Sequence, residues 1–279
     1  MSVLSYQDII RELGRGILFH PLKPDSVKAC DLCLTASEYA YAIGQQKRLT
    51  IETESNQDQP GKEKKFFYIP PRDTALVWTD ESVWLSNRFR GPLYSVVELV
   101  SEGLGHIGTR VNPCWTGVLC IALHNVSDKA IRINVRDVKR PIAYLAIEKL
   151  SSKYSSNRNS DISARLDLLR GRPNSQEITD YFNQKENTWM KGDIEILKKL
   201  MLDSDEYKEV SRKDFKDALL GFFGSSEDTR WNRGSIIGAI LIGGLSALFS
   251  GLTYFNSSHQ APAANETPTN TIVTPSSTK

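Results

Sequence analysis

Chemistry needs titratable or nucleophilic side chains at spacings that let them meet, and in this chain most such spacings fail. A zinc deaminase holds its metal-bound water with H-x-E and P-C-x-x-C. His20, His106 and His124 have no glutamate two residues on, and Cys114 follows a proline without a cysteine three residues later. Cys30 and Cys33 form a C-x-x-C, but on a period-2 strand residues i and i+3 face opposite ways, so both read as small buried hydrophobes. Gly103-Leu-Gly105-His-Ile-Gly108 has the glycine spacing of a dinucleotide loop, yet it lies in β-like sequence with no helix after it. No Walker-type lysine motif is present. Neither a metal site nor a resident cofactor is expected.

The elements that must position any remaining site are of two kinds. In residues 1–150 a short helix, Tyr6–Leu13, precedes brief alternating runs at Ala29–Leu34, Phe66–Ile69, Ala75–Thr79, Val83–Leu85, Val118–Leu123, Ala130–Val135 and Ile142–Ile147. Turn residues punctuate these runs at sandwich or barrel spacing, which predicts an all-β domain. Gln45–Lys65 reads as a long polar loop and Ser151–Ser163 as a linker. Apolar spacing then becomes helical, with Ile178, Tyr181 and Phe182, then Ile194, Leu197, Leu200 and Met201, then Phe215, Leu219 and Phe222. A helical juxtamembrane segment is expected at 164–230.

Ser235–Phe255 carries no charge and no proline over twenty-one residues, enough at about 1.5 Å per residue to cross a core of about 30 Å. It predicts a single transmembrane helix. Arg230 and Arg233 precede it and no Lys or Arg follows before Lys279, so the N-terminal side is expected in the cytoplasm and the tail on the opposite face of the cell membrane. Met1–Tyr6 has no signal-like character. Ala239, Gly243, Ala247 and Gly251 align small residues on one helical face, a pattern that favours helix association. The polar tail 256–279 reads as disordered.

Composition agrees with a folded domain. Apolar residues make up 40% and charged residues 24%, while 35 Lys+Arg against 33 Asp+Glu leave a net charge of +2, no basis for nucleic-acid binding. Four cysteines exclude a disulfide scaffold.

Five segments, in order, resemble the dCTP deaminase and dUTPase family. SYQDIIRELGRGILFHPL (Ser5–Leu22) looks like its opening helix and strand, and ACDLCL (Ala29–Leu34) like its "x-x-Asp-Leu-x-Leu" strand. IPPRDTALVWTDESVWL (Ile69–Leu85) resembles the family's hairpin. TRVNPCWTGVLCIALHN (Thr109–Asn125) resembles the core "R-I-D-P-G-W-x-G-x-I-x-L-E-x-x-N" segment, and VRDVKRPIAYLAIEKL (Val135–Leu150) the closing strands. The likeness covers residues 1–150 and implies a distorted β-barrel or jelly-roll subunit. It also implies a homotrimer with nucleotide sites between subunits.

The resemblance places the family's functional positions on unsuitable residues. The deaminase glutamate that relays protons falls on Ala122, counted from the shared Arg110, and a methyl group holds no titratable proton. The dUTPase carboxylate that orients water falls on Asn112. The phosphate-binding "Arg-Ser-Ser" turn falls around Tyr94–Gly103, where two residues of the pattern and the arginines are missing and Glu98 and Glu102 stand instead. The closing-strand glutamine is Tyr144. Arg110, Trp115, Asn125 and Tyr144 remain as candidates for binding a nucleotide, with Mg²⁺ entering only alongside a triphosphate. Gly221–Ser226 echoes a dUTPase C-terminal arm but reads better as a hinge entering the bilayer. Three readings follow: a catalytically degenerate nucleotide-binding or assembly module on the membrane, an active enzyme using substitute acids such as Glu98 or Glu102, and a structural scaffold.

Overall fold

The computed structural model describes residues 2–55, 63–155 and 163–213. A capping box opens the first helix, Tyr6–Glu12. The Ser5 hydroxyl accepts from the Asp8 amide at 3.3 Å and the Asp8 carboxylate accepts from the Ser5 amide, while Ile9 and Ile10 are buried. The helix ends at a Gly14-Arg15-Gly16 turn, where Gly14 has a φ of +78° that a larger residue would resist.

Two antiparallel sheets enclose the main core. In the first, Phe89–Ser95 is central: Ala143–Ala146 and Glu148–Lys149 follow one register along one edge, and Arg110–Val111 pairs on the other. Asp31–Leu34 extends it beyond Ala143–Ala146. In the second, the twelve-residue strand Thr74–Leu85 is central. Thr116–Asn125 pairs along one edge of it, and Ala36–Ala42 and Ile17–His20 share the other. A smaller ribbon joins Glu52–Ser55, Glu63–Ile69 and Ile131–Asn134. The mostly-β architecture expected of residues 1–150 is present, with a curled sheet.

Two local expectations are corrected. Ile69–Leu85 is no hairpin: Thr74–Leu85 runs straight through Asp80-Glu81, because partners on both edges satisfy its backbone and the two acids find internal partners. Gln45–Lys65 is not all loop, since Glu52–Ser55 pairs antiparallel with Glu63–Phe66. That ribbon is held by the Arg132–Glu54 ion pair and by the Arg132 guanidinium 3.7 Å from the Phe66 ring centre.

Period-2 alternation divides the second sheet's side chains. Leu119, Ile121, Leu123, Val77, Ala75, Ala40 and Ala42 enter the main core. Val118, Cys120, Ala122, Leu76, Trp78, Tyr39 and Tyr41 face the other way. Helices Gln176–Asn183 and Ile194–Asp203 occur where the apolar spacing placed them. The first packs Ile178 and Phe182 onto that outer face, together with Ala164 and Leu169. The second sends Leu197 and Met201 into the main core. All described residues belong to one compact unit, Met1–Leu219.

The expected membrane span 235–255, with Ala239, Gly243, Ala247 and Gly251, lies outside the described residues, as do Phe215, Leu219, Phe222 and the segment 221–226. No helix among the described residues is long and apolar enough to cross a membrane.

Candidate functional site

The strand Thr116–Asn125 carries the position that matters most. Ala122 pairs with Leu76, which pairs in turn with Tyr41, so the three stand in a row across the sheet's outer face. Cys120 and Trp78 form the neighbouring row. This face is covered by the chain itself. Trp78 Nε1 donates to the Ala164 carbonyl at 2.5 Å, the Tyr41 hydroxyl donates to the Pro173 carbonyl at 2.8 Å, and Leu166 and Leu168 pack against the same cluster as Ala122. Two residues to either side along this strand stand His124, whose Nδ1 lies 2.9 Å from Thr74 Oγ1, and the Cys120 thiol, which burial pushes up to about 12. A thiol so shifted stays protonated at neutral pH and is no base.

Arg110 and Asn112 belong to the first sheet's side of the molecule. Both are exposed, and Arg110 Nε donates to Asn112 Oδ1 at 3.2 Å. Tyr144 lies half-buried opposite Tyr94 and Cys33, and burial raises its hydroxyl above the ordinary tyrosine value. Trp115 packs against the main core, with its indole Nε1 buried and unpartnered among the described residues. Asn125 is fully committed to its own turn. Its amide NH₂ donates to the carbonyls of Ile69, Pro70 and Lys129 at 2.8–3.0 Å, and its Oδ1 accepts from the Ser127 amide and hydroxyl. No hydrogen-bonding capacity is left over for a ligand, so its candidacy is corrected to a structural clamp.

At Tyr94–Gly103 the strand Phe89–Ser95 passes into a short helix, Val97–Ser101. Glu102 is ion-paired with Arg140, Glu98 is exposed within electrostatic range of Tyr144, and Asp128 pairs with Arg72 at 2.9 Å. Glu98 would repel a phosphate here, while Glu102 and Asp128 are charge-balanced by Arg140 and Arg72. Around them Tyr94, Val97, Val100, Ile107 and Val126 are exposed, beside a shallow apolar hollow of about 440 Å³ lined by Val100, Leu104, Ile107 and His124.

A second polar cluster went unnoticed in the sequence, although two consecutive acids inside the apolar run LVWTDESVWL were a signal for it. Glu81 is fully buried, and its carboxylate accepts from the Thr35 amide at 2.8 Å and hydroxyl at 2.6 Å, with Lys23 Nζ at 3.6 Å. Burial pushes Glu81 up to about 7, against the opposing pull of Lys23. Asp80 accepts from Lys23 at 2.9 Å and from Arg136 at 2.8 Å, and Arg136 and Lys65 also pair with Glu38. The network borders a groove of about 650 Å³ lined by Lys23, Lys65, Arg136 and Lys139. Both Glu81 oxygens are engaged inside the protein, so the cluster ties the Ala36–Ala42 strand to the central one. Among the described residues no group of His, Cys, Asp and Glu could hold a metal, and all four cysteines are free.

No protein-family model matches the chain. It is 28% identical over 137 residues to the dCTP deaminase of Pyrococcus abyssi, an alignment covering 49% of this chain and 81% of that protein. Over 159 residues it is 24% identical to the dCTP deaminase of Thermococcus gammatolerans, covering 55% and 94%. Among solved structures, the 2′-deoxycytidine 5′-triphosphate deaminase of Agrobacterium tumefaciens superposes with a TM-score of 0.40 at 13% identity, over 61% of this chain and 52% of that one. A superposition so partial adds no weight. Sequence similarity alone, over about half its length, makes this chain dCTP deaminase-like.

Proposed function

We propose that the protein is a membrane-anchored, dCTP deaminase-like module that binds a nucleotide or drives assembly without turning substrate over. The observation that supports this best is Ala122, the residue on which the resemblance puts the family's proton relay, which packs with Cys120, Leu166 and Leu168, while the carboxylate near Cys120, Asp167, is ion-paired with Arg165. Asn112 at the dUTPase position points the same way, since a neutral amide cannot take a proton at neutral pH. Arg110 and Tyr144, with Trp115, remain the binding candidates, and Mg²⁺ would arrive with a triphosphate rather than reside in the protein.

Assembly is part of the proposal. The exposed patch of Tyr94, Val97, Val100, Ile107 and Val126 fits a homotrimer contact. Ser235–Phe255 would then hang three helices on one axis, packed through Ala239, Gly243, Ala247 and Gly251, with the β-domain in the cytoplasm. An active, divergent deaminase is the second reading, favoured by the 28% identity to a protein named as a dCTP deaminase and by Glu98 near Tyr144. Incubating the purified full-length protein with dCTP or dUTP separates the two. Saturable binding without uracil nucleotide or pyrophosphate supports the module, turnover abolished by Glu98→Gln supports the enzyme, and neither binding nor turnover leaves a scaffold.

A further inference from the structure

Across the central strand from Ala122, the same outer face of the second sheet presents an aromatic ring and a cation. The Arg48 guanidinium lies 4.9 Å from the Tyr39 ring centre, and Arg48 Nε is buried without a hydrogen-bond partner among the described residues. The chain supplies companions to both from residues 163–183. Tyr181 stacks on Tyr39 at 4.1 Å with 23° between the rings, and the Glu177 carboxylate pairs with Arg48. A flat ring on an aromatic platform, next to an anion on an arginine, is also what a nucleotide presents.

The covering segment packs on the sheet apart from the main core, tied down by the Trp78–Ala164 and Tyr41–Pro173 hydrogen bonds. Its buried contacts form a small cluster of their own, in which Ala164, Leu169, Ile178 and Phe182 meet Tyr41, Leu76, Trp78 and Val118 of the sheet. Leu197 and Met201, further along, belong to the main core, so lifting 163–183 leaves that core closed. Ala164, Arg165 and Asn174 hold left-handed φ values of 58°, 49° and 55°, conformations that L residues adopt at a cost and that oppose docking.

We infer that residues 163–183 act as a self-ligand: Tyr181 and Glu177 occupy the Tyr39–Arg48 face and compete there with an anionic planar ligand, a pyrimidine nucleoside triphosphate. The inference rests on the reading above that the protein binds a nucleotide, and it adds the Tyr39–Arg48 face of the second sheet to the candidates Arg110, Trp115 and Tyr144 named there. Its test is the full-length Glu177→Ala/Tyr181→Ala variant, which spares the buried Ile178 and Phe182. Calorimetry with dCTP and dUTP should show at least tenfold tighter binding than to the wild type. Arg48→Ala in the same background should abolish the gain, and pyrophosphate, an anion without a ring, should gain far less. Site-resolved alkylation of Cys120, which lies under the segment, should become at least tenfold faster in the variant. Affinities equal within twofold, a gain that survives Arg48→Ala, an equal gain for pyrophosphate, or an unchanged Cys120 rate each overturn the self-ligand, while nucleotide binding by the wild type stands. Absence of binding to either protein overturns the nucleotide-binding reading, and the self-ligand with it.

Discussion

Replacing Glu81 by Gln should remove a pH dependence that the fold builds into the protein. The side chain is fully buried, and its environment moves its titration from about 4.5 to about 7. A carboxyl raised in this way favours the folded state only while protonated. Its contribution is fully present below about pH 4.5, falls as the pH rises and is gone above about 7. At about 1.36 kcal/mol for each pH unit of displacement, the loss across that window is on the order of 3 kcal/mol. Other groups titrate there too. His20 is shifted downward by burial, so its contribution runs the opposite way and is lost as the pH falls through its folded value. Subtracting the two proteins cancels this, because His20 is common to both. Urea unfolding of wild type and Glu81→Gln at pH 5, 6, 7 and 8 should therefore give a stability difference that shifts by about 3 kcal/mol toward the variant as the pH rises. Gln cannot accept from both Thr35 donors as the carboxylate does, which offsets the whole curve but not its slope. A difference independent of pH would refute the reasoning.

Three further outcomes follow from the geometry. Asn125→Ala removes the side-chain donor to the Ile69 and Pro70 carbonyls and the acceptor of the Ser127 amide, while the Lys129 carbonyl keeps the Ser127 hydroxyl, and should cost about 3 kcal/mol in chemical denaturation. Ala122→Glu should destabilise by about 1–2 kcal/mol by pressing a carboxylate against Leu166 and Leu168, and should produce no deaminase activity in a uracil-nucleotide assay. Val97→Asp with Ile107→Asp, both on exposed side chains, should lower the oligomeric state in analytical ultracentrifugation and leave the far-ultraviolet circular dichroism spectrum unchanged.

Much of the β-domain was legible because period-2 alternation and turn residues are local signals. Asp31–Leu34, Thr116–Asn125 and Ala143–Ala146 fall within two or three residues of the runs that announced them. What sequence could not show depends on long-range partners. Asp80 and Glu81 looked like a turn between two short strands, and only Lys23, Thr35 and Arg136, distant in sequence, make a continuous strand through them tolerable. Likewise Ile178, Tyr181 and Phe182 announced a helix face but not the surface that would receive it, because helical spacing names no partner. Asn125 stood inside a family motif, and its type fitted ligand binding as well as a turn clamp. Only its five hydrogen bonds decide for the clamp.

Direct assay of purified full-length protein with dCTP and dUTP tests the central claim most sharply. With only a methyl group at residue 122 and an amide at residue 112, the account predicts saturable binding and no release of ammonia or pyrophosphate above that of a buffer blank. Sustained release of either product, in proportion to enzyme and free of any host deaminase, would contradict it.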